Sequence, residues 1–218
     1  MSLQNLIVGI SGEKGAGKST LLEQLTREEP ALALIDTLGE HQPWCPIFPG
    51  NNREQIIALA EPPETFKWSF LIDPDHEKAH FNALCRAAYR SGDMTFVIEE
   101  VDRYSSPVSD WPGLKIMYDY GRHRRVNLLW ATRNLATVSR KLTSQTDVLY
   151  FFRQNEPKYV RDLEERIGAL GKEYREISAD LAMEVLDLPK FSYVLCAKGY
   201  EPARGVVEPP NARASIEN

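Results

Sequence analysis

The stretch LIVGISGEKGAGKST, residues 6–20, decides the fold of this 218-residue chain. Its apolar first half lies within a predicted buried strand over residues 5–10. Its second half fits the pattern G-x-x-x-x-G-K-[ST]. In that pattern, glycines let backbone amides surround phosphate groups, and the following helix points its positive end at them. We therefore expect ATP to bind here. The residues expected to contact it are Gly12, Glu13, Lys14, Gly15, Ala16, Gly17, Lys18, Ser19 and Thr20.

Composition excludes several classes of protein. Apolar residues make up 43% of the chain and charged residues 26%, which is ordinary for a folded globular protein and excludes wholesale disorder. No apolar run approaches the roughly 18 residues of a membrane span, and the start lacks the basic segment of a signal peptide. Three cysteines without a CxxC pair argue against a disulfide framework and against a structural zinc site. A cytoplasmic protein is expected.

Strands that are apolar throughout alternate with helical patterns, which predicts an α/β fold with a mostly parallel sheet covered on both faces. Residues 1–200 are predicted to form one domain and residues 201–218 a flexible C-terminal tail. Predicted strands are 5–10, 31–36, 66–72, 95–98, 126–131, 148–152 and 191–196. Predicted helices are 18–29, 53–60, 75–90, 114–123 and 135–142, with further helices across 157–187.

A second chemical signal is the strand MTFVIEE, residues 94–100, which ends in two acids as a Walker B segment does. Glu99 is expected to hold Mg²⁺ together with the Ser19 hydroxyl, and Glu100 to polarise the attacking water. Lys18 is expected to reach the β- and γ-phosphates. The alternative is a pair of solvated acids at the start of a loop. A water-activating glutamate favours a hydrolytic ATPase over a small-molecule phosphotransferase.

Polar and basic residues surround the strand at 126–131. Thr132 and Arg133 follow it and fit the place of a sensor near the γ-phosphate. Before it, Arg122, Arg124 and Arg125 are candidates for an arginine finger supplied by a neighbouring subunit. The alternative for these arginines is a role in solubility or in contacts with a phosphate backbone.

The segment HEKAH, residues 76–80, fits the zinc-protease pattern H-E-x-x-H on a predicted helix. The extended pattern would place a third histidine at position 86, where this chain has Arg86. We therefore interpret His76 and His80 as two surface histidines on an amphipathic helix.

Charge is unevenly distributed along the chain. Residues 121–160 contain eight basic and two acidic residues, an excess of +6, whereas the whole chain carries −5. Such asymmetry can mark a face for an anionic partner. The alternative is a solvated basic helix.

The order of these segments resembles the HerA/FtsK superfamily of P-loop ATPases. IDTLGEH at 35–41 is similar to its D-x-x-G-E segment, and GRHRRVN at 121–127 to its basic stretch before the sensor strand. ATRN at 131–134 aligns with its A-T-Q-R, and residues 144–155 with its S-Q-x-x…F-R-x-N run. Two departures are Glu99 in place of the usual aspartate and Arg133 in place of the sensor glutamine.

The resemblance implies an additional-strand, RecA-like three-layer α/β/α sandwich that hydrolyses ATP to translocate DNA. It implies a homo-oligomeric ring, a hexamer or pentamer, that contacts the DNA backbone without sequence specificity. A bare motor core of this size is most similar to the genome-packaging ATPases of tailless, membrane-containing icosahedral viruses. That comparison implies capsid vertex or membrane proteins as further partners and a place in the host cytoplasm or on the virion. The alternatives are a P-loop small-molecule phosphotransferase, a non-hydrolysing scaffold that binds ATP, and another DNA-handling motor of the same superfamily from plasmid transfer or chromosome segregation.

Overall fold

The computed structural model describes residues 5–37, 39, 41, 44–154, 156 and 159–208. Strands are β1 (Ile7–Ser11), β2 (Ala31–Ile35), β3 (Phe66–Phe70), β4 (Met94–Ile98), β5 (Ser105–Ser106), β6 (Ser109–Asp110), β7 (Val126–Thr132), β8 (Val148–Phe152), β9 (Ser192–Ala197) and β10 (Ala203–Val206). Helices are α1 (Lys18–Thr26), α2 (Asn52–Ala60), α3 (Glu77–Ser91), α4 (Pro112–Tyr120), α5 (Arg140–Gln145), α6 (Val160–Gly168) and α7 (Ser178–Asp187).

Eight strands form one sheet in the order β10-β9-β8-β1-β7-β4-β2-β3. The six strands from β8 to β3 run parallel, whereas β9 pairs antiparallel with β8 and β10 antiparallel with β9. The predicted α/β class with a mostly parallel sheet is therefore confirmed.

Successive residues of each strand point to opposite sides of the sheet, and both of these sides are buried. On β2, Ala33 and Ile35 join a core that also contains residues of α3, α4, α6 and α7. Leu32 and Leu34 join a second core, on the side of α1. This two-sided burial explains why the strands are apolar throughout instead of alternating.

Parallel pairing brings the carboxyl ends of three strands to one edge of the sheet. Ile10 of β1 lies beside Ala131 of β7, and Trp130 of β7 lies beside Ile98 of β4. The residues that follow β1, β4 and β7 are the glycine-rich loop, the glutamate pair and the sensor segment. The topology therefore gathers all three motifs at a common crevice, which is where open α/β sheets bind ligands.

The structure corrects the sequence interpretation in two segments. Residues 203–206, within the predicted flexible tail, form β10 because the edge of β9 offers backbone partners; residues 209–218 lie outside the described residues. Residues 105–110, which lie outside every predicted strand and helix, form the β5–β6 hairpin. Its buried Asp110 accepts hydrogen bonds from Tyr118 Oη at 2.9 Å and Ser139 Oγ at 2.6 Å, partners that local sequence does not reveal.

Other element boundaries differ by small amounts from those predicted. The helix predicted at 135–142 is a 3₁₀ turn at 135–137 followed by α5. The described part of the helical region 157–187 contains α6, a 3₁₀ turn at Lys172–Tyr174 and α7. The three cysteines are free and buried. Over the described part of the chain, no helix has both the length and the apolar character needed to span a bilayer.

Candidate nucleotide site

The glycine-rich loop joins β1 directly to α1, which begins at Lys18. Gly17 has a φ of 120°, a conformation that side chains disfavour, so glycine is required to turn the chain into the helix. A Cβ atom on Gly12 would lie 2.5 Å from the Cβ of Phe152, so the loop packs closely against the end of β8. The predicted order of strand, loop and helix is confirmed.

Lys18 is folded back onto this loop. Its Nζ donates to the carbonyl oxygens of Gly12 at 2.6 Å and Glu13 at 2.9 Å. Burial and, as a smaller effect, the nearby charge of Arg133 lower the pKa of Lys18 to about 8, although Glu99 partly opposes the shift. The ammonium group is therefore poorly compensated, which favours an anionic ligand in the loop.

One cleft contains the groups that the sequence predicted to act together. Its lining includes Lys14, Lys18, Ser19, Glu99, Glu100 and Arg133. The Ser19 hydroxyl donates to Glu99 Oε1 at 3.3 Å, and Arg133 forms an ion pair with Glu100. Glu100 has a φ of 51°, a left-handed backbone conformation that turns the chain sharply after β4.

The sensor strand is tied to the segment after β4. The Thr132 hydroxyl donates to Asp102 Oδ1 at 2.9 Å, next to the ion pair of Arg133 with Glu100. Sequence analysis did not identify Asp102, although it follows the glutamate pair by two residues. Arg133, at the position where glutamine was expected, thus neutralises the carboxylate of Glu100, which is predicted to activate water.

The donor set fits a magnesium ion. Ser19 and Glu99 supply a hydroxyl and a carboxylate oxygen, the hard ligands that Mg²⁺ prefers. A further residue, which no sequence pattern singled out, lies against this carboxylate: His41 Nε2 is 2.9 Å from Glu99 Oε2. Asp36, His41 and Glu99 have ligand atoms within 4.8 Å of one another. The sequence feature that could have indicated this cluster is the position of Asp36, directly after β2, the strand that neighbours β4.

The remaining predicted loop residues serve the shape of the loop. Glu13 accepts a hydrogen bond from Arg153 Nε at 2.6 Å, which ties the loop to the end of β8. The carbonyl oxygen of Ala16 accepts from the backbone of Phe191 at 3.0 Å. Gly15 has a positive φ, and Thr20 lies in the first turn of α1.

Arg124 and Arg125 lie away from this cleft. They precede β7, at the amino ends of the parallel strands, whereas the cleft lies at the carboxyl ends. Arg125 forms an ion pair with Asp93, and Arg124 Nη2 donates to the carbonyl oxygen of Arg90 at 2.6 Å. Since β7 has seven residues at ~3.3 Å each, neither arginine reaches a nucleotide in its own subunit.

The basic segment at 121–160 does not form an uncompensated positive face. Of its seven described basic residues, all except Arg124 form ion pairs with carboxylates. These pairs are Arg122–Asp147, Arg125–Asp93, Arg133–Glu100, Arg140–Glu165, Lys141–Asp119 and Arg153–Glu13. Lys158 lies outside the described residues. Most partners come from other parts of the chain, so the sequence-local charge excess does not by itself mark a nucleic-acid surface.

The H-E-x-x-H segment does not form a metal site with a third ligand among the described residues. His76 is exposed and lies 3.0 Å from Asp73 Oδ2. The prediction that His80 is a surface residue is wrong: His80 is buried, and its Nδ1 accepts from the backbone of Asp73 at 3.3 Å. Asp73 also caps the turn before α3 by accepting from Asp75 N at 2.9 Å.

No protein-family model and no curated protein matches this sequence. Solved structures do match the fold. The genome-packaging NTPase B204 of Sulfolobus turreted icosahedral virus 2, in complex with ATP-gammaS, aligns with a TM-score of 0.73 at 17% identity, covering 96% of this chain and 99% of that one. The bacterial conjugative coupling protein TrwB aligns with a TM-score of 0.66 at 9% identity, covering 94% and 85%. VirB4 of Thermoanaerobacter pseudethanolicus gives 0.60 at 10%, covering 95% and 90%.

At these identities the likeness concerns the fold. It confirms the P-loop ATPase fold that the order of motifs predicted, over nearly the whole described chain. The residues at 35–41 and 144–155 that contributed to the resemblance include Glu40 and Asn155, which lie outside the described residues.

Proposed function

We propose that this chain is an ATPase that translocates DNA, working as the genome-packaging motor of a virus. One observation carries the proposal: the phosphate-binding lysine, the glutamate pair and a sensor arginine line one cleft. The near-complete alignment with a viral genome-packaging NTPase, and the alignment with a conjugative coupling protein, support the DNA-handling role.

The side chains divide the chemistry of hydrolysis among them. The loop amides and Lys18 bind the triphosphate. Ser19 and Glu99 would hold Mg²⁺, which would supply positive charge beside the phosphates. Glu100 accepts the proton of the attacking water. Arg133, which forms an ion pair with Glu100, lies in the same cleft and would contact the γ-phosphate in its place, which would free the carboxylate.

Assembly completes the site in this proposal. Arg124 and Arg125 lie at the sheet edge opposite the cleft, so either can act as a finger only on the nucleotide of a neighbouring subunit. A hexameric or pentameric ring places one subunit's arginine beside the next subunit's γ-phosphate. DNA is then held by its backbone, without sequence specificity. Capsid vertex or membrane proteins are the proposed docking partners, in the host cytoplasm or on the virion.

The test is steady-state ATP turnover with and without double-stranded DNA, for wild type and Glu100→Gln side by side. Wild type should be stimulated by DNA. Glu100→Gln should keep ATP bound while turnover falls ~10²-fold or more. A rate of ATP turnover that DNA does not change, together with phosphate transfer to a small acceptor, would identify a phosphotransferase instead. Binding without turnover in either condition would identify a scaffold.

A further inference from the structure

Asp36 and Glu99 lie side by side at the carboxyl ends of neighbouring strands. Ile35 of β2 pairs with Ile98 of β4, and the backbone of Glu99 donates to the carbonyl oxygen of Ile35 at 3.2 Å. Two acids are therefore adjacent at the sheet edge beside the phosphate-binding loop. Asp36 is fully buried, so its carboxylate needs partners within the protein.

Asp36 finds these partners in the segment that follows it. Its Oδ1 accepts from the backbone of Gly39 at 2.8 Å, and its Oδ2 accepts from the backbone of His41 at 3.2 Å. The hydroxyl of Ser69 adds a longer contact of 3.4 Å to Oδ2. Both carboxylate oxygens thus accept hydrogen bonds from the backbone of this turn, and these bonds fix the position of His41.

The imidazole of His41 is directed at Glu99. Its Nε2 lies 2.9 Å from Glu99 Oε2, and only 4% of the His41 side chain is exposed. The ring of Trp44 packs edge-on against the imidazole, with ring centroids 5.5 Å apart. The other oxygen of Glu99, Oε1, faces the Ser19 hydroxyl at 3.3 Å. One oxygen of the glutamate therefore meets the histidine and the other meets the predicted metal ligand.

We propose that His41 is a positioning residue, which holds Glu99 so that Oε1 is presented to the Mg²⁺ bound with ATP. This inference rests on the proposed function and adds to it a residue outside the phosphate-binding and Walker B motifs. A glutamate has one more rotatable bond than the aspartate expected at this position, so it needs a second anchor to keep a fixed direction. His41 supplies that anchor, and Asp36 fixes His41. Partners of this kind orient metal-ligating carboxylates in many sites.

The same three side chains could instead hold an ion themselves. The contacts of Asp36 argue against this, because both of its oxygens already accept hydrogen bonds from the turn. A positioning role uses each of these contacts: Asp36 holds the backbone at His41, and the imidazole of His41 lies against Glu99.

The experiment measures binding of ATPγS to the full chain by calorimetry, in EDTA and over a series of Mg²⁺ concentrations. His41→Leu removes the contact with Glu99, whereas His41→Gln retains a donor of similar reach. His80→Leu is the matched control, since His80 is equally buried but lies on α3 and touches Asp73. His41→Leu should raise the Mg²⁺ concentration for half-maximal binding by about 10-fold or more. His41→Gln should recover most of this loss, and His80→Leu should match wild type.

A second background separates positioning from folding. Replacing Glu99 with aspartate shortens the side chain, so that it no longer reaches both His41 and the metal. In Glu99→Asp, the further change His41→Leu should alter the Mg²⁺ dependence by less than about twofold, because the contact is already gone. Equal effects of His41→Leu in both backgrounds would show that the histidine acts independently of Glu99 and would overturn the proposal.

The remaining outcomes are equally decisive. An unchanged Mg²⁺ dependence in His41→Leu overturns the positioning role, as does a loss of binding that is the same with and without Mg²⁺. Stoichiometric binding of Mn²⁺ or Zn²⁺ to nucleotide-free wild type, lost in both His41 variants, would make the cluster a metal site instead. If wild type itself shows no Mg²⁺-dependent binding of ATPγS, the proposed function fails first, and this result is distinct from all the others.

Discussion

Replacing Lys18 with methionine should stabilise the protein while abolishing nucleotide binding. Methionine matches the length of the lysine stem but carries no charge. Lowering the pKa of Lys18 from 10.5 to about 8 implies that the charged ammonium costs the folded state about 3 kcal/mol at pH 7. The variant also loses two hydrogen bonds to loop carbonyls, each contributing about 1 kcal/mol. The net stabilisation expected is therefore about 1 to 3 kcal/mol.

The stabilisation expected for Lys18→Met depends on pH. The pKa in the folded state lies below the value in the unfolded chain, so the cost is complete below about pH 8 and disappears as the pH rises toward 10.5. The advantage of Lys18→Met should be largest at pH 7 and fall by about 1 to 2 kcal/mol by pH 9.5.

Urea denaturation of both proteins at pH 7 and pH 9.5 measures the effect, and a thermal shift with ATP and Mg²⁺ measures binding. At about 2 to 4 °C per kcal/mol, the variant should also melt several degrees higher at pH 7. Lys14→Met, in an exposed part of the same loop, should change stability by less than about 0.5 kcal/mol. A destabilised Lys18→Met, or a gain that does not change with pH, would refute the reasoning, as would a melting temperature that still rises with ATP.

Three further substitutions test other parts of the structure. Gly12→Ala should destabilise the chain by about 1 to 3 kcal/mol in urea denaturation, because the new methyl would collide with Phe152; a neutral effect would contradict the packing of the loop. Asp110→Ala should cost about 2 to 4 kcal/mol by the same measurement, since it leaves buried hydroxyl groups unpaired; a loss below 1 kcal/mol would show that water replaces the carboxylate. Arg125→Gln removes only an exposed ion pair with Asp93, so stability should change by less than about 1 kcal/mol. If Arg125 is the finger, ATPase activity of the assembled protein should nevertheless fall and be rescued in mixed rings, whereas full activity would remove Arg125 from the candidates.

Local patterns were sufficient for the fold because each depends on residues close together in the chain. The loop at 12–20 requires glycines that turn the backbone and a helix that begins at Lys18, and both are encoded within nine residues. The buried strands are continuous apolar runs, so their position and parallel arrangement followed from hydrophobicity alone. The same reasoning failed for β10 and for the β5–β6 hairpin. β10 pairs with the edge of β9, and the hairpin is held by Tyr118 and Ser139, which no local pattern reveals.

The sequence by itself determined which groups can bind a triphosphate, namely the amides and lysine of the loop and the glutamates after β4. Only the tertiary structure decided how those groups are paired, because hydrogen bonds and ion pairs depend on distances between strand ends and not on spacing along the chain. It placed Arg133 on Glu100, directed His41 at Glu99 and put Arg125 at the opposite edge of the sheet. It also neutralised most of the basic segment with acids from elsewhere, since Coulomb interactions act over a few ångströms of space however far apart the residues lie in sequence.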